Sequence, residues 1–536
     1  MKKKWMNPAA LLIVSAALAM TGCSGGASST SAAPTAAPEA VTAAAETAAS
    51  ETAQAEPESE SAAAGTAEQE PESAPEKPDG GAPAPGQGKP GGPPPGGGAS
   101  KPDHYDAVVD AAEDMLFKHQ TIRSESADEN AVLAKNGASV TLFADDILRV
   151  SDASAGGDSA SFYGIGAAVL CTDGNVYVDS CDITTDAKGG AGVFAYDKGT
   201  AYVSQTKIVS EQDTSGGLLA AGGGTLYAWD CDVETNGESS AAIRSDRGGG
   251  TMVIEDGTYI SKGQGSPAVY STADITAAYA TLTAEGSEAV CIEGDNQLRL
   301  FNSNLSGNMA DLPQNGLTWN VILYQSMSGD SEEGSSLFEM NGGILEAKNG
   351  GMFYTTNTQS TFVLRQVDMR GASDQEFLLR AAGNSNERGW GEKGKNGADC
   401  SFTGIRQELD GDVQWDSIST LKFYLTEGSV FSGAILQDET DAGEGGEGFS
   451  ELFIDKDSTW YVTGDSTVTK IHCAGAIQDP IGKPVTIVKP DGTVLQEGTS
   501  RFTITAEEYD NTPDLSGAGK SSEYDSFKAE KPAELH

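Results

Sequence analysis

The frame YVDSCDITT, Tyr177 to Thr185, returns 50 residues later as YAWDCDVET, Tyr227 to Thr235. It is part of a shorter repeat. Units begin NVYVDSCDI at Asn175, TAYVSQTKI at Thr200, TLYAWDCDV at Thr225, TMVIEDGTY at Thr251, DITAAYATL at Asp274 and QLRLFNSNL at Gln297, so the spacings are 25, 25, 26, 23 and 23 residues. The pattern continues in LFEMNGGIL at Leu337 and TFVLRQVDM at Thr361, where intervening loops lengthen the period. A period of 20 to 50 residues requires an architecture in which each unit buries its apolar side on its neighbours.

Within a unit, apolar residues alternate. Val176 and Val178, Ala201 and Val203, Leu226 and Ala228, and Met252 and Ile254 are spaced to face inward together. A second apolar run follows in each unit: GVFAY, GLLAA, AAIRS, PAVYS and EAVCI. Gly, Asn, Asp and Ser fill the corners. A propeller blade needs about 40 residues for its four strands, and a leucine-rich repeat needs a fixed leucine and asparagine ladder that is missing here. The expected fold is all-β, a parallel β-helix solenoid. About a dozen coils at roughly 4.8 Å would give a rod near 60 Å long.

The two cysteines of the repeated frame fit this stacking. Position 181 recurs as Thr206, Cys231, Gly257, Ala280, Ser303 and Gly343, all small, which predicts an inward ladder where the coil is narrow. Cys181 and Cys231 fall two coils apart, roughly 9.6 Å, beyond the reach of a disulfide. They are expected to be buried free thiols. Cys171, Cys291, Cys400 and Cys473 show no pairing pattern either.

The start of the chain reads as an address. MKKKWMN is basic, PAALLIVSAALAM is apolar but short for a membrane span, and Thr21-Gly22-Cys23 follows. The order resembles a bacterial lipoprotein signal, with Met20 where such signals usually carry Leu. That resemblance implies cleavage before Cys23, lipidation of Cys23, and residence on the extracellular face of the cell membrane through the lipid alone. Residues 23–103 are rich in Ala, Pro, Gly and Glu and cannot bury enough apolar surface to fold, so they read as a disordered tether. The expected organisation is a signal peptide over 1–22, the tether over 23–103, the β-helix over 104–475, and short strands with a polar tail over 476–536. A net charge of −45 excludes nucleic acid as a natural partner.

Three clusters are candidates for chemistry. Tyr177, Tyr202 and Tyr227 occupy the same outward position in successive coils, with Trp229 two residues further on the same face. They would form a flat aromatic strip on which sugar rings stack, or a stack that only stabilises the sheet. Arg244, Asp246 and Arg247, in AAIRSDRGGG, are the nearest approach to the Arg base of a polysaccharide lyase. The plainer reading has these charges pin neighbouring turns. The acidic loop DETDAGEGGEG carries Asp438, Glu439, Asp441, Glu444 and Glu447, whose oxygens suit calcium, although the spacing matches no EF-hand or nonapeptide calcium motif and a solvated loop has the same composition. The four histidines, His104, His119, His472 and His536, form no catalytic or metal motif.

GSPAVYSTADI (Gly265 to Ile275), SEAVCIEG (Ser287 to Gly294), NVILYQSMSGD (Asn320 to Asp330) and DSTWYVTGDSTVT (Asp457 to Thr469) resemble a group of adhesin-like surface lipoproteins of anaerobic Gram-positive bacteria. That group is similar to right-handed parallel β-helix proteins of the pectate-lyase-like type. The resemblance implies a right-handed coil and a rigid lateral face that binds extracellular polysaccharide or a host or cell-wall surface. It leaves two alternatives, a lyase or hydrolase acting on acidic glycans and a structural spacer. Fold alone does not choose among these; the expectation leans away from catalysis because the Gly-His-Gly and Arg-x-Lys motifs of polygalacturonase-like enzymes are missing.

Overall fold

A computed structural model describes residues 99–326 and 331–536. Cys23 and the tether expectation as far as residue 98 lie outside these residues. The described chain is an all-β parallel solenoid in which a 32-stranded parallel network is extended by two four-stranded sheets. Each coil contributes one strand to each of three sheets: the first includes Ile243–Ser245, Val269–Ser271 and Val290–Glu293, and the third includes Asp182–Ala187, Lys207–Ser210 and Thr281–Ala284. The second sheet carries the repeat frames, and its pairing follows the sequence register. Asn175 pairs with Thr200, Thr200 with Thr225, Thr225 with Thr251, Thr251 with Asp274, Asp274 with Gln297, Gln297 with Leu337 and Leu337 with Thr361.

One inward row on this sheet runs Met115, Val140, Val176, Ala201, Leu226, Met252, Ile275, Leu298, Phe338, Phe362, Phe402, Phe423, Leu452, Ile471 and Tyr509. Its fourteen steps of about 4.8 Å give a stack of roughly 67 Å. The row turns from aliphatic to aromatic at Phe338, and the core there fills with rings of Phe353, Phe362, Phe402, Phe423 and Phe431 at centroid spacings of 5.0 to 5.7 Å. Wider coils need larger side chains to keep interior density.

The corner between the second and third sheets has one construction in eleven successive coils. Its first residue takes positive φ: His119, Ala144, Ser180, Gln205, Asp230, Asp256, Tyr279, Asn302, Gly342, Gln366 and Arg406. Past the first corner, where Gln120 is exposed, its second residue turns inward, and Cys181, Thr206, Cys231, Ala280 and Ser303 are each at most 2% exposed. Space is tight: a Cβ on Gly257 would stand 2.3 Å from the Cys231 carbonyl oxygen, and one on Gly343 1.9 Å from that of Ser303. The narrow ladder read from the sequence is therefore present over these coils. It widens at Asp145, Val367 and Gln407, where buried polar or larger side chains take the place. All described cysteines are free, and burial pushes the thiols of Cys181 and Cys231 up to about 12.

The far end is closed by a four-stranded sheet that includes Thr486–Val488, Val494–Gln496 and Thr503–Thr505. Beyond it, the polar tail turns back along the second sheet. Among the described residues no helix is long and apolar enough to cross a membrane.

Candidate functional site: the outer faces of the first and second sheets

On the second sheet the four predicted aromatics do come together. The ring centroids of Tyr177 and Tyr202 are 5.0 Å apart with planes 6° apart, Tyr202 and Tyr227 are 5.4 Å apart, and Tyr227 and Trp229 are 6.3 Å apart. The expected flat strip is corrected by this geometry. Parallel rings 5.0 Å apart cannot lie side by side in one plane, because non-bonded carbons keep about 3.5 Å. They overlap face to face with an offset, like shingles, and turn edges and hydroxyls outward. The faces a sugar would need are largely used by the neighbouring tyrosine.

The chain's own tail also occupies this face. The Gly519 N–H donates to Thr403 Oγ1 at 2.8 Å, and the Ser522 hydroxyl to Glu339 at 2.9 Å. Tyr524, 8% exposed, donates to Glu255 at 3.1 Å and packs against Phe301 and Tyr279. Phe527 lies on Phe301 and under the Arg299 guanidinium. At the end of this path the His536 N–H donates to Asp179 at 2.7 Å, and its ring packs on Phe143. Burial, and then the nearby Glu534 carboxylate, raise the Tyr177 hydroxyl above its ordinary pKa, and Tyr202 is raised by burial, Tyr227 and Glu534.

Arg244 projects from the first sheet, and its donors are engaged. It forms two hydrogen bonds to Asp246 at 3.0 and 2.8 Å, and others to the Ser239 carbonyl at 2.6 Å and the Ser161 hydroxyl at 3.0 Å. Arg247 lies 4.2 Å over the Phe162 ring of the short helix Asp158–Tyr163. These contacts tie the helix to the sheet, which is the turn-pinning role.

The five carboxylates of the acidic loop do not converge, and Glu439 accepts from Ser417 and Gln437. Asp438 accepts from Arg380 at 2.5 Å, Asp441 stands 3.5 Å from the same guanidinium, and Glu444 and Glu447 face solvent. Among the described residues no cluster of three or more His, Cys, Asp or Glu is placed to hold a metal ion. The calcium expectation is corrected for a physical reason: a 3% exposed arginine has taken the two inner carboxylates as its counter-ions.

A site that the sequence reading missed lies on the first sheet. Outward residues of successive coils there are Arg244, Tyr270, Cys291, Ile322, Tyr354 and Arg380. Two loops rise beside them, one between Gln297–Gly307 and Trp319–Tyr324, the other between Leu379–Ala381 and Asp399–Ile405. They enclose a cavity of about 120 Å³ whose lining includes Tyr270, Tyr324, Asn315, Arg388, Trp390 and Glu288. A neighbouring depression shares Gly265, Pro267 and Tyr270 and reaches Arg244. The Trp390 ring is half-buried, 4.4 Å from that of Tyr324.

Beneath the cavity Tyr270 and Tyr324 each donate to one oxygen of buried Glu293 at 2.9 Å, and Ser326 donates to the other oxygen. Burial, with the Glu293 charge adding to it, raises both tyrosine hydroxyls well above their usual pKa. They remain protonated donors and do not supply a phenolate base. Asn315 is 3% exposed, its Oδ1 accepts from Arg388, and its Nδ2 has no partner. A larger hollow of about 930 Å³ around Asp368, Gln375, Arg406 and Asp410 has no aromatic ring in its lining. The one legible signal for the first-sheet site was the longer period after Gln297, since inserted loops are where a solenoid builds its walls.

No protein-family model matches this chain, and no curated protein or solved structure matches it either.

Proposed function

We propose that this chain is a lipid-anchored, adhesin-like surface protein whose β-helix holds a glycan-binding cleft on the outer face of its first sheet. The observation that carries the reading is the loop-walled cavity in which the Tyr270, Tyr324 and Trp390 rings stand beside an unpartnered amide donor, Asn315 Nδ2. Aromatic faces with a few fixed polar groups are what sugar recognition requires. The signal-like segment ending at Cys23 and the tether to residue 103 supply a means of displaying such a cleft away from a membrane. Binding is favoured over lyase chemistry because Arg244 is held by Asp246, Ser239 and Ser161, and because both cavity tyrosines stay protonated. The test is a glycan-array and soluble-polysaccharide screen of the full chain, with unsaturated-product assays on whatever binds. Binding that Trp390→Ala removes, without product formation, is the expected result. Cleavage that Arg244→Ala abolishes while binding persists would replace the reading with the lyase alternative. Display is tested separately: Cys23→Ala should release the protein from the membrane fraction.

A further inference from the structure

The ligand class can be taken further on the strength of the glycan-binding reading. We infer that the first-sheet cavity takes a single neutral pyranose unit, with its apolar ring face on Trp390 and its hydroxyls shared between Asn315, Arg388 and Glu288.

Three observations select this class. The first is size. A cavity of about 120 Å³ holds about four waters at the roughly 30 Å³ each takes in the liquid, so it admits no more than one sugar ring. A polymer would enter by its end unit or by one residue.

The second is charge. Arg388 is the exposed cation of the lining, and Glu288 lies in the same wall with Glu293 beneath the floor. Arg244, at the adjoining depression, is already paired with Asp246. A uronate or other anion would meet two carboxylates for one guanidinium without an acidic partner among its side-chain hydrogen bonds, within a chain of net charge −45. A quaternary ammonium or amine would find the three rings agreeable. It would also meet Arg388, whose guanidinium already lies 5.4 Å from the Trp390 ring centroid. A neutral ligand avoids both conflicts.

The third is the balance of donors and acceptors. Buried Asn315 Nδ2 has no partner, and leaving such a donor unpaired costs about 1–3 kcal/mol. A ligand oxygen would satisfy it. Arg388 spends its Nε on Asn315 Oδ1, which sets the amide so that Nδ2 is the free end. Glu288 is half-exposed and takes donors, as sugar hydroxyls are. The Tyr270 and Tyr324 hydroxyls each spend their one O–H on a hydrogen bond to Glu293 and have only lone pairs left to offer. Groups that both give and accept, flanked by an indole, match a polyol ring.

The experiment titrates the full chain with methyl glucopyranoside, methyl galactopyranoside, methyl mannopyranoside and N-acetylglucosamine, and in parallel with glucuronate, galacturonate and choline. Binding is read by calorimetry and tryptophan fluorescence. At least one neutral pyranoside should bind and perturb the fluorescence. Trp390→Ala and Asn315→Asp should each weaken it by about tenfold or more, with melting temperature and circular dichroism confirming that both variants fold. Asn315→Asp keeps the size and reverses the hydrogen-bond sense, so it separates a ligand contact from packing. If uronates or choline bind in preference and the same variants abolish that binding, the neutral class is wrong while the cleft remains a binding site. If a neutral sugar binds and neither variant matters, this cavity is not the site. If neither these probes nor any polysaccharide binds, the glycan-binding reading and this inference fall together.

Discussion

The outer faces of the first and second sheets arise from the same period-two alternation, yet one is filled and the other hollow. On the second sheet the corner to the third sheet is two residues long in eleven successive coils, and nothing is inserted there. The outward rows run unbroken, so tyrosines from neighbouring coils close on one another and the tail can lie along them from Thr403 to Asp179. The coils of the first sheet are interrupted by insertions before Trp319–Tyr324 and after Leu379–Ala381. The inserted loops carry Asn315, Arg388 and Trp390 above the floor and leave a cavity. A regular row of aromatic side chains tends to satisfy itself. A break in regularity leaves groups that something else must satisfy.

The largest expected effect tests whether the second face is filled by attachment. Tyr524 is the buried anchor of the tail, and Tyr524→Ala removes its packing on Phe301 and its hydrogen bond to Glu255. Large aromatic truncations cost about 3–5 kcal/mol, and here the loss should fall on docking of residues 512–536. Hydrogen exchange and proteolysis of that segment should rise sharply while the coils stay protected. Unchanged protection would mean the tail is held elsewhere and the contrast between the faces is overdrawn.

Next comes the first face. Arg380→Met leaves Asp438 and Asp441 without their counter-ion. Both carboxylates can partly rehydrate, so the cost should be near the low end for a broken buried pair, about 3 kcal/mol, read by denaturant unfolding. Burial alone would raise Asp438, but the Thr440 hydroxyl and Arg380 outweigh it and hold the carboxyl below its ordinary value. A carboxyl depressed in the folded state adds stability above its unfolded pKa of about 3.9 and loses it as pH falls through the folded value. The variant should therefore lose less stability than the parent as pH falls below about 4. An identical acid profile would deny the pair this role.

The fold was legible because its information is periodic. Val176, Ala201, Leu226 and Met252 announce their register in the chain, and backbone pairing enforces it. The Cys181 to Gly343 ladder was legible for the same reason, since a narrow corner admits only small side chains. The cavity was not. Asn315, Arg388 and Trp390 lie in loops with no period, and their meeting depends on two insertions 73 residues apart in sequence. The tail was legible only as polar composition. Its few anchors, Tyr524, Phe527 and Leu535, are too sparse to form a pattern. Periodicity also misled at the tyrosines: it placed them in one row but said nothing of ring tilt, and tilt decides whether a face is free.

The corner ladder comes third. Cys231 is fully buried beside the Gly257 position. Cys231→Ala should be nearly silent, because neighbouring coils already use Ala, Ser, Thr and Gly there. Cys231→Leu should destabilise by about 1–3 kcal/mol through overpacking. Thiol counting on the unfolded, unreduced protein should find Cys181 and Cys231 both reactive, and a peptide map linking them would overturn the register.

The smallest effect is the most discriminating. Tyr202 is stacked on both sides, by Tyr177 and Tyr227, and is half-buried. Removing its ring leaves Tyr177 without a stacking partner and Tyr227 with Trp229 alone, and a stacked pair contributes roughly 0.5–1.5 kcal/mol beyond the area it buries. Tyr202→Ala should therefore lower stability by about 1 to 2 kcal/mol, because the tail and the inward Ala201 and Val203 are untouched. Its effect on glycan binding should be nil, since the stack turns edges outward and Glu534 stands beside it. Trp390→Ala should differ in binding: a stability loss of the same size, because the half-exposed indole packs on Tyr324 and Trp319, and a large loss of binding. Measuring both quantities on both variants crosses the two faces in one experiment. If Tyr202→Ala weakens binding as much as Trp390→Ala does, the aromatic row is a working surface after all, and the tail over it must yield to ligand.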